Sequence, residues 1–209
     1  MYRRYFKRVF DLVVVILAFI ISSPIFLLLC LLIKLDSKGP VFFKQRRVGK
    51  GKTEFLIFKF RSMKIDAPKD RPTHLLENPD AYITRIGKFL RKTSLDELPQ
   101  FINILAGQMS IVGPRPALYN QYDLVAMRDK YGANDVRPGL TGWAQVNGRD
   151  ELPIDVKSRF DGEYVEKMSF LFDLKCIVRT FKSVSTADGI VEGKKSSVEG
   201  NSSVEGNSS

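Results

Sequence analysis

The fold is decided by an apolar stretch near the N-terminus, LVVVILAFIISSPIFLLLCLLI, which covers residues 12–33. About 20 apolar residues in a helix suffice to cross the hydrocarbon core of a bilayer, so one transmembrane helix is the simplest interpretation. Ser22, Ser23 and Pro24 interrupt the stretch at its middle. Proline removes a backbone hydrogen bond and bends a helix, while serine hydroxyls can bind the carbonyls that it leaves free.

The charges beside this stretch favour a second interpretation, because both flanks are basic and basic flanks prefer the cytoplasmic side. We therefore expect a re-entrant helix that enters one leaflet, turns at Ser23-Pro24 and returns to the same side. A signal peptide is less consistent, since the apolar run resumes after Pro24 and no Ala-x-Ala site follows. The flanking cations include Arg3, Arg4, Lys7 and Arg8 before the stretch, and Lys34, Lys38, Lys44 and Arg46 after it.

The composition points to an anionic partner. The 209 residues are enough for one domain with a core, and their net charge of +10 favours nucleic acid, anionic lipid or a phosphorylated substrate. Cys30 and Cys176 do not resemble a disulfide framework, which favours a reducing compartment. With His74 as the single histidine, a zinc site is not expected, and any metal is more consistent with Mg²⁺ held by oxygen ligands.

A second decisive stretch, TSLDELPQ at residues 93–100, places Asp96 beside Glu97 within basic surroundings. One interpretation is structural, because Ser94-x-x-Glu97 has the spacing of a capping box. The other is chemistry on a phosphate, with a metal ion between acid and substrate. Pro99 is tolerated only in a first helical turn, which predicts both acids at a helix N-terminus. Adjacent helical residues face different ways, so the two acids should have different roles.

Cations that could bind a phosphate occur in three other segments: the second strand of a predicted hairpin, the residues before Asp96, and a proline-rich segment after it. Gly49-Lys50-Gly51-Lys52, between two alternating apolar runs, predicts a β-hairpin turn. In the returning strand, Phe55–Met63, Lys59 and Arg61 share one face and are either solvated edge cations or a pair directed at a diphosphate.

Arg91 precedes Asp96 by five residues and is close enough to reach the same substrate. In Gly113-Pro114-Arg115-Pro116, the residues before proline are pushed to extended geometry. Arg115 is therefore held with little freedom, which suits a bidentate phosphate contact, although a rigid surface turn is the alternative.

The rest of the pattern predicts an α+β chain, a mainly helical single domain with a short β-hairpin, an N-terminal re-entrant membrane helix and interfacial amphipathic helices. The apolar face of the last helix either packs on the core or lies in the lipid interface. We assign 1–35 to the membrane helix, 36–187 to a catalytic domain and 188–209 to a disordered tail. The other predicted elements are helices at Tyr82–Lys92, after Asp96 to about Gly107, at Tyr119–Tyr131 and at Phe170–Val184, a mobile loop at Asp66–Asp80, and a short strand around Trp143.

The chain resembles the bacterial sugar transferases, specifically the small monotopic polyprenyl-phosphate phosphoglycosyl transferases. The resemblance covers residues 7–185, nearly the whole expected folded chain. The segments that carry it, in order, are KRVFD (7–11), SP (23–24), GPVFFKQ (39–45), KFRSM (59–63), LDELPQ (95–100), MSIVGPRP (109–116), RPGLTGWAQVNGR (137–149) and FDLK (172–175).

The resemblance implies transfer of a sugar phosphate from a UDP-sugar to polyprenyl (undecaprenyl) phosphate on the cytoplasmic face of the bacterial inner membrane, with release of UMP. It implies that Asp96 forms a covalent phosphosugar intermediate and holds Mg²⁺, and that Glu97 assists. One departure is Gln108, where the family often has an acid before Met-Ser. The negative charge of a diphosphate must be neutralised, and the residues expected to do this are Lys59, Arg61, Arg91, Arg115 and Arg149. The residues expected to recognise the nucleotide sugar are Arg137, Gln145, Asn147 and Asp161.

Two other functions are compatible with the sequence. The charge alone would suit a non-enzymatic, membrane-attached binding module for anionic lipid or nucleic acid, although the basic residues occur in several segments around rigid turns. The same Asp and Mg²⁺ would also suit a membrane phosphohydrolase that uses water as acceptor. If the chain is a sugar transferase, as the resemblance implies, no nucleic acid partner is expected. The sequence does not identify the sugar, the glycan pathway or the oligomeric state.

Overall fold

A computed structural model describes residues 2–68, 79–148 and 152–186, and it mixes helices with short strands as predicted. His74, Arg149, most of the predicted mobile loop and the predicted tail lie outside the described residues. In chain order the elements are α1 (Lys7–Asp36), β1 (Phe42–Val48), β2 (Glu54–Phe60), α2 (Arg85–Lys92), α3 (Gln100–Leu105), β3 (Ser110–Val112), α4 (Tyr122–Asp129), β4 (Gly139–Thr141), α5 (Ile154–Lys167) and α6 (Phe170–Thr186).

The apolar stretch forms helix α1, which continues through Pro24 without interruption. Pro24 has no N–H to donate to the carbonyl of Ile20, and the Ser23 hydroxyl donates to that carbonyl at 2.8 Å instead. The predicted break at Ser23-Pro24 is therefore a missing backbone hydrogen bond within one helix. Among the described residues, α1 is the one helix long and apolar enough to cross a membrane.

Both ends of α1 contact the same domain. Near its start, the Lys7 ammonium lies 2.6 Å from the Asp173 carboxylate of α6. Near its end, Leu29 and Ile33 are buried against Phe60 of β2. A straight helix of 30 residues is about 45 Å long, so a simple span would carry one end away to the far side of the bilayer. The contacts at both ends support the re-entrant arrangement, which stays a prediction.

Single cysteines at the two ends of α1 test this arrangement. The single cysteines Arg3→Cys and Lys50→Cys are each introduced into a chain in which alanine replaces Cys30 and Cys176. Both should react with a membrane-impermeant maleimide only when the reagent has access to the cytoplasmic face. Labelling is measured in intact spheroplasts and in inverted vesicles. Reaction of Arg3→Cys from the periplasmic side alone would instead show a helix that spans the bilayer.

The predicted β-hairpin is confirmed. Strands β1 and β2 pair antiparallel from Phe42 opposite Phe60 to Val48 opposite Glu54. Gly51 turns the chain between them with a φ of 62°, which glycine adopts without steric cost.

A second, parallel pair joins β3 to β4. The prediction of a strand around Trp143 was wrong in position, because β4 ends at Thr141. Trp143 follows in a turn and packs in the core against Phe172, with ring centroids 4.9 Å apart. A Cβ atom on Gly139 would lie 2.1 Å from the Gly113 nitrogen, so only glycine allows β4 to approach the residue after β3 this closely.

Helix α6 packs by one face and exposes an apolar other face. Its Asp173 and Cys176 are fully buried, whereas Leu171, Val178 and Phe181 are 75%, 60% and 72% exposed. The predicted apolar face is therefore not the face that packs on the core, and its place in the lipid interface stays a prediction.

Candidate active site

Asp96 and Glu97 lie in a short 3-10 turn, Leu95–Glu97, that precedes α3. Ser94 has a left-handed φ of 56° and its side chain makes no capping hydrogen bond, so the capping-box interpretation was wrong. Helix α3 begins only at Gln100. The two acids therefore precede the helix, and side-chain cations rather than a helix terminus supply the positive field around them.

Lys59 and Arg115 converge on the two acids. The Lys59 ammonium lies 2.7 Å from Glu97 Oε1 and 3.5 Å from Asp96 Oδ2. Arg115 Nη2 donates to the same Glu97 oxygen at 3.1 Å. Glu97 thus receives both cations directly, while Asp96 has the longer contact with Lys59.

The unequal contacts separate the acidities of the two carboxyl groups. Burial raises the pKa of Asp96, whose side chain is 13% exposed; Lys59 opposes this effect and Glu97 adds to it. Burial would also raise the pKa of Glu97, but Lys59 and Arg115 outweigh it and lower that pKa to about 2. Asp96 is consequently the more basic carboxylate of the pair.

The acids line an open cavity of about 800 Å³ that several predicted cations share. Arg91 and Arg115 come from α2 and from the segment after β3, which lie far apart in sequence. A cavity of this size matches the usual range for small-molecule ligands. The predicted site residues along its wall are Lys59, Arg61, Arg91, Asp96, Glu97, Arg115 and Gln145.

Asn103, a buried residue of α3 that sequence analysis missed, fixes β2 and therefore Lys59. Its Oδ1 accepts from the Phe58 nitrogen at 2.9 Å, and its Nδ2 donates to the Leu56 carbonyl at 2.8 Å. The same Nδ2 donates to Gln108 Oε1 at 2.7 Å. Gln108, the departure from the family pattern, thus supports the strand and helix beside the acids.

Comparison with known proteins identifies the family of the chain. A family model described as bacterial sugar transferase matches residues 2–187. The chain belongs to the bacterial sugar transferase family. The family match covers both acids, both of their cationic partners and helix α1.

Relatives of this sugar transferase have related names. The UDP-glucose:undecaprenyl-phosphate glucose-1-phosphate transferase of Escherichia coli K12 is 41% identical over 184 residues, covering 85% of this chain and 39% of that protein. The UDP-N-acetylgalactosamine-undecaprenyl-phosphate N-acetylgalactosaminephosphotransferase of Aeromonas hydrophila is 38% identical over 191 residues, covering 88% and 45%. The chain thus spans less than half the length of these relatives. The uncharacterized sugar transferase EpsL of Bacillus subtilis 168 is 39% identical over 184 residues, covering 88% and 89%.

Arg61 does not take the role of an exposed edge cation in this sugar transferase. Its guanidinium donates to the carbonyls of Ser37 and Lys38 at 2.7 and 2.5 Å, and the residue is 5% exposed. Arg61 also borders the cavity. It therefore connects the chain that leaves α1 to the cavity wall, and its predicted phosphate contact stays a prediction.

The residues predicted to recognise the nucleotide sugar are distributed more widely. Gln145 lines the cavity, whereas Arg137 Nε donates to the Gly107 carbonyl at 2.8 Å. Asn147 Nδ2 donates to the Trp143 carbonyl at 2.7 Å. Asp161 is buried and accepts a hydrogen bond from Arg128 Nε. These contacts place the last three in the supporting structure, and their sugar-recognition roles remain predictions; Arg149 is outside the described residues.

The carboxylates near the cavity decide how Mg²⁺ could be held. Within residues 2–68, 79–148 and 152–186, no group of three His, Cys, Asp or Glu side chains could hold a metal ion. Mg²⁺ is commonly held by one or two carboxylates, with substrate phosphates and waters completing its shell. Because two cations occupy Glu97, Asp96 is the side chain that fits this arrangement.

Proposed function

We propose that this sugar transferase moves a sugar 1-phosphate from a UDP-sugar to polyprenyl phosphate and releases UMP. Asp96 attacks the phosphorus bonded to the sugar, and the bond from that phosphorus to UMP breaks. An oxygen of the polyprenyl phosphate then attacks the same phosphorus, and the Asp96 carboxylate leaves. The product is a polyprenyl diphosphosugar, the first membrane intermediate of a glycan such as a capsule, exopolysaccharide or glycoprotein chain.

The observation that carries this proposal is the unequal environment of the two acids. A carboxylate is an accepted nucleophile for phosphoryl groups, and nucleophilicity rises with basicity. Glu97 binds both cations and its pKa is lowered to about 2, so its lone pairs are poorly available. The pKa of Asp96 is raised by burial, which leaves Asp96 as the better nucleophile.

The cations around the acids suit a diphosphate substrate. Transfer of a phosphoryl group requires its negative charge to be neutralised where it develops. Lys59, Arg91 and Arg115 border the cavity that holds Asp96. Mg²⁺, when bound, would neutralise part of the same charge. These residues would bind the diphosphate and support departure of UMP, while Glu97 keeps Lys59 and Arg115 in place.

The apolar surfaces suit an acceptor whose phosphate lies at a membrane. Ile21 and Leu27 of α1 are 77% and 69% exposed, and Leu171 of α6 is 75% exposed. Such surfaces are stable in lipid rather than in water. Arg61 joins the end of α1 to the cavity, so the site lies next to the point where the membrane helix ends. Both a soluble UDP-sugar and a lipid phosphate can reach it there.

UMP release tests the proposal. The detergent-solubilised chain is incubated with a panel of UDP-sugars, with and without undecaprenyl phosphate, and both UMP and the lipid product are measured. We expect UMP and a polyprenyl diphosphosugar in equal amounts with one or a few of the sugars. Sustained UMP release that does not need the lipid would indicate a phosphohydrolase, and no release with any sugar would contradict the proposal.

Arg115→Ala should lower kcat/KM for UMP release about 100-fold, because it removes a charged donor from the reacting phosphates and from Glu97. The circular dichroism spectrum should be unchanged, since the Arg115 side chain is partly exposed. Arg46→Ala is the matched control, as Arg46 forms an exposed ion pair with Glu54 on the hairpin. Equal activity of the two variants would exclude a phosphate-binding role for Arg115.

A further inference from the structure

The backbone around Arg115 is fixed by contacts from several elements. Pro114 and Pro116 have no N–H, so the segment depends on its carbonyl groups for hydrogen bonds. The Pro114 carbonyl accepts from the Gly139 nitrogen, and the Pro116 carbonyl accepts from Arg47 Nη1, each at 2.9 Å. The carbonyl of Arg115 itself accepts from Arg128 Nη1, also at 2.9 Å.

Arg128 is in turn held by one buried acid. Its Nε and Nη2 lie 2.8 and 2.6 Å from Asp161 Oδ2. The two side chains are 4% and 1% exposed, so the pair is almost fully removed from water. A buried pair of this kind is costly to disturb, because removing one partner leaves the other charge without compensation.

A continuous set of contacts thus runs from α5 to the catalytic acids. Asp161 on α5 fixes Arg128 on α4, and Arg128 fixes the carbonyl of Arg115. The side chain of Arg115 then donates to Glu97. We propose that Arg128 and Asp161 are a positioning pair that sets the place of Arg115 for the reaction, an inference that rests on the proposed function.

The geometry favours positioning over direct substrate contact for Arg128. Although Arg128 borders the cavity, three of its nitrogens already contact protein groups: Nε and Nη2 contact Asp161, and Nη1 donates to the Arg115 carbonyl. A planar guanidinium can make these three contacts at once, whereas a lysine ammonium cannot reproduce their directions. Arg128→Lys should therefore behave like a loss of the pair, although it keeps the charge.

A double-mutant cycle between Asp161 and Arg115 tests the inference. Asp161→Asn alone should lower kcat for UMP release about tenfold and change KM less than about threefold, because the misplaced guanidinium acts mainly in the transition state. In an Arg115→Ala background, Asp161→Asn should lower kcat less than about twofold, since the group that it positions is gone. The control is Asp129→Asn. Asp129 is next to Arg128 on α4, and its substitution breaks an exposed ion pair with Lys52 of the hairpin turn.

Hydrogen exchange gives a readout that does not depend on activity. Peptides covering residues 113–118 should exchange faster in the Asp161→Asn chain than in the wild type, and no faster in the Asp129→Asn chain. Equal losses of kcat in both backgrounds, or unchanged exchange at 113–118, would overturn the positioning role. A wild-type chain without UMP release would contradict the proposed function instead, and the exchange measurement would still decide the positioning.

Discussion

Asp96→Asn is expected to lower the rate of UMP release by at least about a thousandfold. The amide has nearly the same shape as the carboxylate, but its oxygen carries no charge and cannot form a stable acyl phosphate. Lys59 would keep its shorter contact with Glu97, so the local structure should persist. Thermal unfolding should show a midpoint within a few degrees of the wild type.

The proposed covalent intermediate gives a direct measurement for the same variant. With a UDP-sugar labelled in the sugar and no lipid acceptor, the wild-type chain should retain labelled phosphosugar on the protein. Asp96→Asn and Asp96→Ala should retain none. Asp80→Asn, which alters an exposed pair with Lys88, should behave like the wild type. A near-normal rate for Asp96→Asn would exclude Asp96 as the nucleophile.

Removal of divalent metal is expected to abolish turnover as completely as loss of Asp96. The diphosphate brings more negative charge than Lys59, Arg91 and Arg115 neutralise when Glu97 already binds two of them. EDTA should therefore reduce UMP release to background. The fold should survive, because Lys59 and Arg115 already compensate Glu97 without a metal.

Restoration separates a metal requirement from damage to the protein. Excess MgCl₂ added after EDTA should recover the full rate. Excess CaCl₂ should recover much less, because Ca²⁺ binds oxygen ligands at longer distances and in a less regular geometry than Mg²⁺. The unfolding midpoint with and without EDTA is the control for stability. Unimpaired UMP release in EDTA would remove the metal from the mechanism.

The sequence predicted those helices and strands that depend mainly on neighbouring residues in the chain. The hairpin follows from alternating strands around a glycine turn, and α1 follows from its long apolar stretch. Helix α5 was not predicted, and its sequence explains why. Gly162 lies within it and lowers helix propensity. A Cβ atom there would lie 2.7 Å from Tyr131 Cβ, so this glycine serves the close packing of α5 on the end of α4, which only the tertiary structure reveals.

The residues of the candidate site also fall into those that the sequence predicted and those that it did not. Asp96, Glu97 and Arg115 stand in dense motifs of acids, prolines and cations, which made them candidates from sequence alone. Asn103 and Arg128 stand in ordinary helices, and their partners Phe58 and Asp161 are 45 and 33 residues away. A single polar residue with a distant partner leaves no periodic or motif signal. Asp161 was predicted as a candidate, but its partner was not.

The ion pair between Lys7 and Asp173 joins α1 to α6, across 166 positions of the chain. During synthesis, Lys7 at the start of α1 is therefore made long before Asp173, the residue that will neutralise its charge. The apolar part of α1 can enter lipid at once, but its docking onto the domain is complete only after α6 has been made. With α1 in the membrane as proposed, the packing of the domain against this helix is thus completed by α6.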